Sequence, residues 1–311
     1  HRHLPLRGLM VPPAGTSLSP GRGITFTILG GALLTTNDAV LKWLTSDYPV
    51  GQLMFIRGLF VFLPVMLIVW RAGGFGLIRV NSLRDQSLRA GFAFTSGFCF
   101  ITGISFLPLA DALAITFAGP LFVTALAPPM LGETVGWRRW SAVLVGFAGV
   151  VVMLRPGAEA VQWAALFPLG ASLAGALRDL TTRQMAGRET SVSIMCFSTA
   201  VIVLAGLCTW PFGWAPLVLE DLGLMALSGM LVGGAHFLLI ERFQWAEAAL
   251  LAPFKYTNMI WAILFGFVIW GDLPDAWTTT GATIVIVGGL YIIRRESRRQ
   301  TPAGRAPVVK P

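Results

Sequence analysis

Ten runs of about twenty mostly apolar residues occupy nearly the whole chain, and this limits what it can fold into more than any other feature. They fall near 23–44, 50–70, 88–107, 110–131, 137–154, 161–184, 190–210, 218–241, 246–270 and 276–293. A bilayer core is roughly 30 Å thick and a helix rises about 1.5 Å per residue, so each run can cross once. The connections are short, as in SDYPV at 46–50 and GDLPDAW at 271–277, which makes successive spans antiparallel neighbours. The expected fold class is therefore all-α: a polytopic membrane protein of ten transmembrane helices. Composition agrees, with 55% hydrophobic residues, 12% charged and a mean hydropathy of +0.72.

The net charge of +8 does not point to nucleic acid, because the basic residues are not interleaved with stacking aromatics on one accessible face. They follow topology. Eighteen of the 23 Lys and Arg fall on the side that holds the N-terminus, Arg155 alone falls opposite, and Lys42, Arg57, Arg178 and Lys255 lie within spans. Basic residues mark the cytoplasmic side, so both termini are expected there. Residues 1–22 lack an apolar segment with a cleavage site and read as a disordered cytoplasmic tail, with 296–311 as a basic tail. Cys99, Cys196 and Cys208 sit in apolar runs with neither disulfide nor zinc spacing, and His1 and His3 on a flexible terminus suggest no metal site.

A phrase is written twice. LKWLTS at 41–46 returns as LRDLTT at 177–182, an offset of 136, and the same offset aligns Leu88 with Leu224, Ala90 with Ala226, Gly97 with Gly233, Ile104 with Ile240, and LADALAI at 109–115 with WAEAALL at 245–251. After a shift of three, LGETVGWRRW at 131–140 aligns with WGDLPDAWTT at 270–279. Five spans per copy is an odd number, so the second copy enters the membrane from the opposite side. The expected plan is two inverted five-helix repeats, 23–155 and 156–295, the architecture of many secondary transporters with a midplane site between the halves.

That plan, Pro120 followed by LGE at 131–133, and APFKYTNMIWAILFGFVIWGDLPD at 252–275 resemble the drug/metabolite transporter superfamily in its EamA-like branch. Within it the chain is most similar to YddG-type inner-membrane exporters of aromatic and other neutral amino acids. The resemblance covers about 23–295 and implies a carrier in the bacterial inner membrane that exports a small amino acid by alternating access. In one respect the chain departs from a symmetric plan: Pro120 precedes Glu133 by 13 residues and Pro253 precedes Asp272 by 19, so the two proline-bearing spans are not interchangeable.

Charged groups within spans need a partner, a wet cavity or a function. Lys255, about ten residues into the ninth span, lies where its stem reaches neither surface, and it follows Pro253, which removes a backbone donor. With Tyr256, Thr257 and Asn258 it concentrates polar groups at the depth of a transporter site. Asp38 and Lys42 share a face of the first span at acid-to-base spacing and read as a self-contained pair, with Arg57 as the other partner open to Asp38. Lys42 and Arg178 lie near span ends, where long cationic chains snorkel, and Arg178 has Asp179 and Glu241 as prospective partners. Asn37, Thr95, Thr116 and His236 complete the polar candidates, each read either as substrate-facing or as an interhelical hydrogen bond. Trp163 and Trp261 could stack on an aromatic solute; Trp140, Trp210, Trp214 and Trp277 sit where interfacial belts belong.

No GxxxxGK[ST] phosphate loop, HExxH, GxSxG or sizeable soluble segment is present, so neither an ATP-driven pump in this chain alone nor an enzyme is expected, and no cofactor. The expected partners are a small-molecule substrate, an amino acid, and the lipid bilayer; the oligomeric state stays open, a monomer included. The mechanism expected places a zwitterion between the halves, its carboxylate at Lys255 and its ammonium at Asn37 and Asp38.

Overall fold

The computed structural model describes residues 20–72, 74, 78–132, 136–154, 161–185, 188–241, 254 and 256–300. Among them there is no strand. The chain runs as α1 (Pro20–Leu44), α2 (Val50–Ala72), α3 (Leu83–Phe106), α4 (Leu109–Thr116), α5 (Gly119–Leu131), α6 (Trp137–Leu154), α7 (Val161–Met185), α8 (Ser191–Leu207), α9 (Leu219–Glu241), α10 (Thr257–Phe265) and α11 (Ala276–Gln300). A 3₁₀ turn covers Trp210–Phe212, and a π turn, Gly266–Trp270, extends α10. Residues 21–44, 50–67, 109–131, 192–212 and 219–239 are long and apolar enough, by length and composition, to cross a membrane. Helices α3 and α7 match them in length, at 24 and 25 residues, but carry charges near one end.

Against the expected runs, α1 begins three residues early and α11 continues through its basic segment to Gln300. The fourth run is not one helix. It breaks at Phe117 and Ala118 between α4 and α5 because Pro120 has no N–H to donate and its ring excludes the carbonyl of Thr116 from a regular turn. That carbonyl instead accepts the Ser172 hydroxyl of α7 at 3.2 Å. Gly132 and Gly271, at φ of 69° and 74°, end α5 and the π turn in the left-handed conformation that favours glycine.

Lipid tails are as apolar as leucine, so the helices associate through close packing rather than hydrophobic exclusion. Helix α3 lies along α7, α1 along α9 and α6 along α11; α2 lies between α8 and α9, α10 packs on α1, and α4 meets α10. Glycines set the approach: a Cβ at Gly103 would stand 2.7 Å from Pro168, one at Gly149 would stand 2.8 Å from the Gly281 carbonyl, and one at Gly233 would overlap Pro64.

Polar staples tie both ends of the bundle. At the end that carries residues 45–49, the Tyr48 phenol donates to Asp221 at 2.7 Å and accepts from the Val218 N–H at 3.2 Å, while Gln52 exchanges two 2.9 Å bonds with Ala215. At the opposite end the Glu189 carboxylate accepts from the N–H groups of Asn81 and Ser82, both at 2.8 Å, and the Ser193 hydroxyl donates to the Arg79 carbonyl at 2.8 Å. The densest core, with Leu41, Leu44, Leu53, Met54, Ile104 and Leu109, lies toward the first of these ends.

The glycine contacts are testable. Gly233→Ala is expected to cost about 1–3 kcal/mol through overpacking against Pro64, seen as a lower thermal midpoint in detergent. Gly91→Ala, with nothing within 4 Å of the added methyl, is expected to leave the midpoint unchanged or raise it.

Candidate functional site

The inward faces of the helices can be found by exclusion. On α9, Ser228, Ala235 and Leu239 face α1, and Gly229 and Gly233 face α2. Leu227, Met230 and Phe237 are exposed on the opposite, lipid side. Between the two packed stripes run Met225, Val232 and His236 at helical spacing, which therefore point into the bundle. Met225 and Val232 are buried, yet His236 is exposed. Along this stripe accessibility therefore rises from the end holding residues 45–49 toward the end holding 79–82, the more accessible end.

Helix α2 gives a second inward stripe. Phe60 and Pro64 face α9, Gly51 and Gly58 face α8, and Leu59, Leu63, Leu67 and Trp70 are exposed to lipid. Arg57 stands between the packed stripes and opposite the lipid face. Its Nε is buried without a hydrogen bond among the described residues. Asp38 of α1 and His236 both lie within electrostatic reach of this guanidinium.

Two further guanidiniums line the accessible end. Arg89 of α3 bridges the second half of the bundle, Nε donating to Thr182 at 2.9 Å and Nη1 to Ser198. Arg178 of α7 is chelated by its neighbour, Nε and Nη2 donating to one oxygen of Asp179 at 3.0 and 2.8 Å, and Asp179 is exposed. Both cations act electrostatically on His236, whose Nδ1 lies 2.9 Å from the Val232 carbonyl. Among the described residues, Arg178 is paired with Asp179, and Arg89 donates to hydroxyls while also lying within electrostatic reach of Asp179.

The expected site residues divide into three groups. Asn37, Asp38, His236, Tyr256, Asn258 and Trp261 lie on helices that converge on the interior. Asn37 is engaged structurally: its Oδ1 accepts the Ser228 hydroxyl at 2.6 Å and its Nδ2 donates to Asp38 at 2.9 Å. The Tyr256 hydroxyl, the Asn258 carbonyl oxygen and the Trp261 N–H are buried without hydrogen bonds among the described residues, and Asn258 presses against Gly31 of α1. The Tyr256 ring stands edge-on to Phe117 at 5.2 Å, so the start of α10 faces the break between α4 and α5. Thr116 closes α4, its hydroxyl donating to the Leu113 carbonyl at 2.7 Å.

Two residues fall elsewhere. Thr95 is exposed on the stripe of α3 that also carries Leu88 and Phe106, the lipid-facing side. Trp163 is 50% exposed and forms an aromatic cluster with Phe106 at 4.7 Å and Phe167 at 6.0 Å, a surface belt contact. Lys255 lies outside the described residues.

The Asp38 and Lys42 pair does not form. Lys42 donates to the carbonyls of Ile104 and Leu107 at the end of α3, at 3.1 and 2.7 Å, and its ammonium lies 5.3 Å from the Trp270 ring centre. The last carbonyls of a helix lack partners of their own, which makes them competitive with a carboxylate for a buried lysine. A separate groove of about 710 Å³ lies to the side of the bundle, lined by Phe55, Leu59, Trp210, Trp214 and Leu217, with Gln52 at its base. The hydrogen bond to Asp221 holds the Tyr48 phenol above its ordinary pKa.

The first half of the chain, residues 21–155, matches the EamA-like transporter family. Full-length similarity to curated transporters extends this across both halves. An S-adenosylmethionine uptake transporter from Rickettsia bellii is 27% identical, covering 89% of this chain and 94% of that protein. A riboflavin transporter from Rhizobium johnstonii is also 27% identical, covering 89% and 93%. The pseudopaline exporter CntI of Pseudomonas aeruginosa is 23% identical, covering 88% and 96%. A solved crystal structure has the same fold, with a TM-score of 0.63 at 18% identity, covering 91% of this chain and 99% of that one. These relatives are transporters, and the long apolar helices make the present chain a multi-pass membrane protein.

Arg57 was expected only as a partner for Asp38, although an arginine well inside an apolar run was itself a signal, and Arg89, at the edge of its run, counted with the loop cations. The Asn37 contact can be checked directly. Asn37→Ala and Ser228→Ala are expected to couple by roughly 0.6 kcal/mol, at most about 1.7, in a double-mutant cycle of unfolding in detergent or bicelles.

Proposed function

We propose that the protein is a secondary transporter of two inverted five-helix halves, 23–155 and 156–295, which exports a small zwitterionic solute, an aromatic or other neutral amino acid, by alternating access. The observation that carries this reading is the pairing of the helices. Exchanging the halves turns α1 against α9 into α7 against α3, and α2 against α9 into α8 against α3, while α2 with α8, α6 with α11 and α4 with α10 map onto themselves. The packed bundle has each of these pairs. The staples support it independently: Ala215 and Val218 at one end, Arg79 and Ser82 at the other, are tethered peptides separated by the offset of 136.

Two observations support alternating access. The interior stripe of α9 is buried at Met225 and exposed at His236, as in a carrier caught open to one side only. Lys42 and the dense core close the other end. The distribution of Lys and Arg makes the accessible end cytoplasmic, and with it both chain termini.

Within the cavity, Asp38 with Asn37 is assigned to the ammonium of the solute and Lys255 to its carboxylate, with Tyr256, Asn258 and Trp261 offering unpaired polar groups beside an apolar wall. Desolvated opposite charges need fixed counter-charges, which the two sides of such a cavity supply. A second cargo class on the same fold is favoured by the relatives, whose names give S-adenosylmethionine, riboflavin and pseudopaline, and uptake as well as export.

Counterflow into proteoliposomes, with labelled aromatic and neutral amino acids run beside S-adenosylmethionine and riboflavin, decides between them. Saturable exchange of the amino acids is expected, reduced roughly tenfold or more by Lys255→Ala and by Asp38→Asn, the equivalent of about 1.4 kcal/mol. Unaltered flux in both variants would remove those roles. Cysteine labelling should find 45–49 and 271–276 on the same side of the membrane; opposite sides would end the inverted-repeat reading.

A further inference from the structure

Among the described residues Arg57 makes neither a hydrogen bond nor an ion pair, although it stands about two turns inside α2, on the inward stripe. A guanidinium is always charged and carries five donors in a rigid fork, and a membrane protein ordinarily satisfies such a group with a carboxylate or carbonyls. Asp38 is near enough to act on its charge, yet its Oδ1 accepts from Asn37 and no bond joins it to Arg57. The other buried cations show that this is not a general habit of the chain. Lys42 holds two carbonyls, Arg89 two hydroxyls, and Arg178 a carboxylate.

Asp38 and Arg57 feel each other's charge without a hydrogen bond or ion pair between them, so each keeps bonding capacity for a group bearing both charges. We propose that Arg57 shares the carboxylate of the transported solute with Lys255, gripping it through its guanidinium fork while Asp38 receives the ammonium, which makes Arg57 the residue that restricts the cargo to carboxylates. The assignment deepens the transporter reading above and rests on it.

The path to this position fits the same chemistry. His236 lies between Arg57 and the accessible end, where Arg89 and Arg178 also act on it. Guanidiniums along the way in attract anionic groups and favour a solute that presents its carboxylate first. A planar fork makes two parallel bonds to the two oxygens of a carboxylate, whereas a primary amide offers it a single, uncharged oxygen beside an NH₂ that can only donate. Arg57 thereby discriminates by shape as well as by charge.

The test is ligand-induced thermal stabilisation of the purified full-length protein in detergent, with L-phenylalanine, L-phenylalaninamide, S-adenosylmethionine and citrate as probes. At least one carboxylate is expected to raise the midpoint, and L-phenylalaninamide is expected to fail at concentrations where L-phenylalanine acts. Arg57→Gln should raise the concentration of acid required at least tenfold, and Arg57→Lys, which keeps the charge but not the fork, should fall between. Stabilisation by the amide equal to that by the acid would overturn the assignment, as would Arg57→Gln binding within twofold of the natural protein, or a natural protein that no carboxylate stabilises. Should Arg57→Gln fail to fold, the acid and amide comparison on the natural protein and the Arg57→Lys variant still decide. Saturable flux of riboflavin, which has no carboxylate, that is indifferent to Arg57→Lys would leave the transporter standing and remove this role. Acid-specific, Arg57-dependent binding without counterflow of any solute would do the reverse.

Discussion

Inside a bilayer a backbone carbonyl released from its helix has no water to bond, so each interruption of a span must bring a replacement donor from a neighbour. The structure meets this demand repeatedly. Where Pro120 breaks the fourth span, Ser172 reaches across from α7 to the Thr116 carbonyl. Where α3 ends, Lys42 comes over from α1 to its last carbonyls. At the start of α3 the sign is reversed, and the Glu189 carboxylate receives the unpaired N–H groups. Each local repair is also a link between distant segments, so the need for donors and acceptors helps to hold the bundle in register.

Packing supplies the rest. The Gly103 and Gly233 contacts with Pro168 and Pro64 bring α3 onto α7 and α9 onto α2 at distances that no larger residue allows, and each proline fills the recess that a glycine leaves. Both prolines lie within their helices, where the missing N–H frees a carbonyl one turn earlier. Close contact at those positions keeps the weakened turns away from lipid.

Much of this was legible before any coordinates. Apolar runs and short connections gave span positions to within a few residues, because the bilayer imposes one length on every crossing. The break at Phe117 was harder to read, since Pro120 lies in a run whose hydropathy is uninterrupted and only the geometry of its neighbours decides whether a proline kinks a helix or ends it. Partners of charged groups were the least legible. Asp38 and Lys42 have the right spacing for a pair, but the competitor for Lys42 was a set of carbonyls more than sixty residues away, invisible to any pattern confined to one helix. Thr95 and Trp163 failed for a related reason: polarity and aromaticity identify residue types, whereas facing is set by which stripe the neighbouring helices cover.

The attachment of Lys42 to carbonyls rather than to an acid has a mechanical corollary. Prising apart two full charges in a poorly polarisable medium strands both of them, whereas an amine leaving a pair of dipoles strands only one, and an invading water can serve ammonium and carbonyl alike. A latch of this kind grips while dry and slackens on wetting, so hydration of the sealed end would itself lower the barrier to its release.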